Sequence, residues 1–118
     1  MSRARAFVVE AEIALSDLCD PAAAGAAVTA ELCGHWKHDG ACRWPHNNSI
    51  DPRHQPARFR TLFVANESEE PGVRERIETG LRRGKGWRVL SVRSRPLAER
   101  ERALADTLIA GPRRSSKT

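Results

Sequence analysis

Six side chains that bind metals or move protons, Cys33, His35, His38, Cys42, His46 and His54, fall within 22 consecutive residues of a 118-residue chain. They include all four histidines and two of the three cysteines. Thiolate sulfur and imidazole nitrogen are the ligands zinc prefers, and a tetrahedral structural site needs four of them on turns short enough to converge. The spacing is Cys-x-His-x2-His-x3-Cys-x3-His, with Asp39-Gly40 at its centre as the tight turn. The favoured ligands are Cys33, Cys42 and His46, with His38 or His35 as the fourth and His54 in reserve. Zinc is the expected cofactor.

The surrounding stretch gives a second reason to look for a metal. From Gly34 to Ala57 there is no clean periodicity, and Asp39-Gly40, Asn47-Asn48, Asp51-Pro52 and Gln55-Pro56 are turn or loop signals. An insert this long is uncommon in a compact domain unless something ties it down. With few aliphatic residues, it cannot offset by burial the roughly 1–2 kcal/mol of backbone entropy lost per ordered residue. A closed zinc site contributes about 10 kcal/mol or more of apparent binding energy, enough to organise it.

The string from Cys33 to His46, with two spaced cysteines around an aromatic and a Gly and a Cys-x3-His ending, is similar to pieces of the three-cysteine, one-histidine zinc fingers that bind RNA. The likeness covers 14 residues. The middle block with the third cysteine has no counterpart here, and the function of those fingers is not carried over.

Four protein ligands would make the site structural; three and an open position would let it activate water. Asp39 and Asp51 are the local carboxylates for a proton shuttle, but neither belongs to a His-Glu-x2-His motif. An alternative uses the same residues without metal. Two histidines as acid and base, with Arg43, Arg53 or Arg58 on a phosphate, would cleave RNA. Without catalysis, the sheet face and basic tail could bind nucleic acid or another anionic ligand. Whether the protein is an enzyme stays open at this level.

Twenty Lys and Arg against fifteen Asp and Glu give a net charge of +5, and seventeen of the bases are Arg, suited to forked contacts with phosphate or carboxylate. Over Val73–Arg83 and Glu99–Arg102, however, Arg and Glu stand at helical spacing, as on a solvated helix face. There is no phosphate-binding Gly-rich loop, Gly-x-Ser-x-Gly elbow or dinucleotide fingerprint, which disfavours nucleotide and serine hydrolases. No apolar run is long enough to span a membrane, and three cysteines do not suit a secreted disulfide framework. A cytoplasmic protein is expected, and exposed strand edges suggest a homodimer.

The elements that must position these side chains alternate in type. Phe7, Val9, Ala11, Ile13 and Leu15 share one face of a strand. Asp20 and Pro21 open an Ala-rich helix that ends near Gly34, and Cys19 just before it reads as a small buried hydrophobe. After the insert, Phe59–Ala65 forms a strand, and Val73, Ile77 and Leu81 lie on one face of a helix that stops at Gly84 and Gly86. Trp87–Ser94 is a strand, and Pro96 opens a last helix with Leu97, Leu104, Leu108 and Ile109 inward. With one more strand near Ser49, this order predicts a single α+β domain over residues 1–112. Its architecture would be a ferredoxin-like or split βαβ sandwich with a long Cys/His-rich insert at 34–57 and an added C-terminal helix. Phe59–Ser94 could instead be a parallel βαβ crossover. Residues 113–118 are expected to be a disordered basic tail.

Overall fold

The computed structural model describes residues 4–33 and 44–110. Period-two patterning builds the centre of the molecule. Strand β1 (Ala4–Leu15) runs antiparallel to β3 (Ala57–Asn66) on one side and to β4 (Trp87–Arg95) on the other. The predicted strand near Ser49 is β2 (His46–Asp51), antiparallel to β3 at the sheet edge. The sheet order is β2-β3-β1-β4. Because β3 and β4 are each antiparallel to β1, they point the same way with β1 between them, which is the split βαβ connection. The expected α+β class holds, and the segment taken as an irregular insert contains a strand and the start of another.

Helix α1 (Ala22–Leu32) and helix α2 (Glu70–Arg83) cover one face of the sheet. Asp20 Oδ1 accepts the Ala22 amide at 2.9 Å, so it satisfies one of the free donors at the start of α1. Val28 and Leu32 of α1 and Val73, Ile77 and Leu81 of α2 pack on Val9, Ala11, Ile13, Phe59 and Phe63. The Phe7 and Phe63 rings stack at 5.6 Å across the two central strands. The helices approach closely at Gly80, where a Cβ would lie 2.9 Å from the Ala27 carbonyl oxygen. The end of α2 is tied down by Trp87, whose indole N–H donates to the Leu81 carbonyl at 2.9 Å.

The other face of the sheet is covered at one end by a 3-10 turn (Glu99–Glu101) running into α3 (Arg102–Ala110). The last helical segment therefore starts at Glu99 and not at Pro96. Leu97, Leu104 and Leu108 pack with Ala105 on Val8 and Leu62 as expected, whereas Ile109 is exposed. Beside this small apolar patch lies an ion network. Glu101 receives a forked pair from Arg95 at 2.8 and 2.9 Å, a third contact from Arg60 at 3.2 Å and the Ala98 amide at 2.9 Å. Arg95 also reaches Glu10 at 2.8 Å. Arg–Glu pairs form on helix faces within the predicted stretches at Arg82–Glu78 and Arg102–Glu99, and Arg74 also pairs with Glu70 just before the first of them. No helix among the described residues is long and apolar enough to cross a membrane.

Candidate metal centre

Cys33 and His46 are brought to the same turn of α1. Cys33 terminates that helix, and its amide donates to the Thr29 carbonyl at 2.7 Å. His46 opens β2, and its Nε2 lies 3.0 Å from the Thr29 hydroxyl. The other ring nitrogen, Nδ1, faces the Trp44 carbonyl at 3.0 Å. A carbonyl can only accept, so Nδ1 carries a proton; in the neutral ring Nε2 is then the acceptor of the Thr29 hydroxyl. A ring nitrogen held by a backbone carbonyl is the arrangement that orients a metal-binding histidine.

Asn48 completes the network. Its Nδ2 donates to the Gly25 carbonyl at 3.0 Å and to Thr29 Oγ1 at 3.2 Å, while its Oδ1 accepts the Thr61 hydroxyl at 2.7 Å. Thr61 is 0% exposed. The chain Thr61, Asn48, Thr29, His46 thus clamps the last turns of α1 to the sheet edge with every side-chain group paired. We expect Asn48→Ala to lose about 1–3 kcal/mol of stability, because it strands the buried Thr61 hydroxyl and removes the donor to Gly25. Urea denaturation reads this directly, and an unchanged midpoint would show that the clamp carries no stability.

The sequence reading missed Thr29, Asn48 and Thr61. Asn47-Asn48 reads as a turn signal, but both residues lie in β2, where Asn47 Oδ1 takes a hydrogen bond from Arg60 at 2.6 Å and Asn48 grips α1. The available clue was Asn48 alternating with Ile50, the two residues that share a sheet face with their partners Thr61 and Phe59.

Of the other candidates, His35, His38, Asp39, Cys42 and Arg43 lie outside the described residues, as does the tail from 113 to 118. His54 belongs to the turn after β2, where Nδ1 donates to the Pro56 carbonyl at 2.8 Å and Nε2 accepts from Arg58 at 2.8 Å. The five residue steps along β2 put its ends roughly 17 Å apart, so His54 and His46 do not face a common point. Asp51 closes the same distant turn, accepting the Arg53 amide at 3.1 Å. Cys33 is disulfide-bonded; Cys19 is a free thiol, half-buried rather than buried. Trp44 packs on the core with the Arg76 guanidinium 5.2 Å above its ring. Among the described residues, no three His, Cys, Asp or Glu side chains gather as a metal site.

Charge separates cleanly between the described and remaining residues. The described residues carry fourteen Lys and Arg against fourteen Asp and Glu, so the entire surplus of five positive charges falls in residues 1–3, 34–43 and 111–118. Compared with known protein families, curated proteins and solved structures, the chain shows no significant match.

Proposed function

We propose that this protein is a small zinc-binding α+β domain, with the metal held where α1 hands over to β2. The observation that carries the reading is the orientation of His46. Its Nδ1–H is fixed by the Trp44 carbonyl, which leaves Nε2 as the ligating nitrogen, aimed at the α1 turn that Cys33 terminates. Cys33 in its thiolate form and His46 are two ligands; the sequence supplies Cys42 and either His38 or His35 for the others. Binding requires the Thr29 hydroxyl to turn away from Nε2 and the Cys33 sulfur to be reduced. A cytoplasmic setting, where thiols are kept reduced, suits such a site.

Four protein ligands close the coordination sphere and give the metal a structural role, organising the chain that joins α1 to β2. The RNA-directed alternative has less support. The described residues carry no net charge, and of the two histidines among them His46 opens β2 while His54 lies in the turn beyond its far end.

Metal analysis of protein purified under reducing conditions without a histidine tag tests the proposal. We expect about one zinc per chain, falling below about a tenth in Cys42→Ala or Cys33→Ser. Wild-type protein that holds no zinc, yet retards RNA with a steep salt dependence, would overturn it in favour of a nucleic-acid module.

A further inference from the structure

We propose that the outer edge of β4 is a docking site for an extended, acidic segment of another protein, which joins the sheet as an added strand. In the order β2-β3-β1-β4, strand β4 pairs with β1 alone. Among the described residues, the backbone groups along its outer side therefore have no neighbouring strand over nine residues. Such an edge is a template for another chain, with main-chain bonds supplying affinity and side chains selecting the partner. The flank of this edge is basic. From Glu70 to Arg95 there are eight Arg and Lys against three Glu, whereas the other described residues carry six against eleven acids. Arg76 and Arg83 turn toward α1, where they meet the Glu31 carbonyl at 3.4 Å and its carboxylate at 2.8 Å. Arg74 instead donates to the Ser94 hydroxyl of β4 at 3.1 Å, and Arg82 and Arg88 border an open cleft of about 180 Å³ with Leu81, Trp87 and Val89. Lys85 and Arg88 have no acidic partner among the described residues.

The register of β4 on β1 sorts its side chains by face. Arg88 and Arg93 stand opposite Ala14 and Glu10, on the face away from α1 and α2, while Val89 and Val92 pack at the margin of the core on the helix face. Leu90 falls where the register shifts, has no partner on β1 and is 46% exposed. An added strand with acidic side chains on one face and apolar ones on the other meets both sets at once, because strand side chains alternate with a period of two. The same features select against a second copy of this chain. A bulge and a row of arginines guard an edge from its own kind, since two such edges would set one basic flank against another. A strand of opposite charge is drawn to the flank that repels a copy. Nothing in this inference depends on the metal.

The test uses the full chain and a fluorescent synthetic peptide of alternating Glu and Val, as long as β4, with binding read by anisotropy at low salt. One control peptide alternates Lys with Val. A second is the Glu–Val peptide methylated on its backbone nitrogens, which keeps the charge and loses the donors for strand pairing. We expect the Glu–Val peptide to bind at least about tenfold more tightly than either control, and the β4 amides to gain protection from hydrogen exchange. Lys85→Glu combined with Arg88→Glu should weaken binding at least about tenfold with the thermal melt unchanged, since both side chains are exposed. Absence of binding would overturn the proposal, and equal binding of the methylated peptide would reduce the contact to charge alone and overturn strand addition. A single-stranded RNA that displaces the peptide at lower concentration than unlabelled peptide does would overturn it in favour of a nucleic-acid surface. Dimers in sedimentation that Leu90→Arg dissociates would overturn it in favour of a second copy on this edge.

Discussion

Replacing Glu101 with Ala is expected to destabilise the fold by about 3–5 kcal/mol, the range for removing one partner of a buried ion pair. Glu101 is 4% exposed and serves Arg95, Arg60 and the Ala98 amide together. Without it, the largely buried Arg60 guanidinium loses its paired carboxylate, Arg95 is left with Glu10 and the start of α3 loses its anchor. The same carboxylate sets an acid limit. The forked bond from Arg95, opposed by burial and aided by the Ala98 amide and Arg60, lowers its pKa to about 2 from an ordinary value of 4.5. Glu10 is lowered too: burial opposes the shift, but hydrogen bonds from Arg95 and Arg93 outweigh it.

A depressed folded-state pKa means that the unfolded chain takes up the proton first. This stabilisation is therefore complete above about pH 4.5 and drains away as pH falls toward 2. Urea denaturation between pH 6 and pH 2 should show wild-type stability falling through that window. Glu101→Gln should start lower and fall less steeply, keeping only the Glu10 contribution. The paired change Glu101→Leu with Arg60→Met should cost less than Glu101→Ala, since it also removes the arginine left without a carboxylate while Arg95 keeps Glu10. A loss below about 1 kcal/mol in Glu101→Ala would place the network among ordinary surface pairs.

The second large effect follows from the proposed zinc site: reduced protein at a thousandfold excess of free zinc over its dissociation constant should gain about 4 kcal/mol of stability, the mass-action effect of a ligand that binds only the folded chain. Excess EDTA should abolish the gain, and Cys33→Ser should show little of it. Thermal melts with and without chelator provide the measurement. Identical curves would mean that the metal does not organise the α1–β2 region.

Much of the scaffold was legible from periodicity, and the reason is local. Alternating apolar residues from Phe7 to Leu15 can bury one face only as a strand, and Val73, Ile77 and Leu81 share a face only on a helix. The last helix shows the limit of that logic. Ile109 matches the apolar period but stays exposed, because α3 covers only one end of the sheet and Glu101 decides where it docks. β2 was placed near Ser49 from the order of elements, although its own composition of His, Asn, Ser and Asp reads as loop. It is a strand because β3 offers an edge to pair with and because Asn47 and Asn48 find partners on Arg60 and α1.

The candidate site divides along the same line. Residue type and spacing alone nominated Cys33 and His46 as ligands, since the affinity of sulfur and imidazole for zinc does not depend on fold. Which of the two described histidines lies against α1 is a matter of long-range geometry. The antiparallel register of β2 on β3 carries His54 to the far turn and leaves His46 against Thr29, 17 residues earlier in the chain. Local sequence fixes the chemistry a side chain can perform; only packing between distant segments fixes which side chains meet.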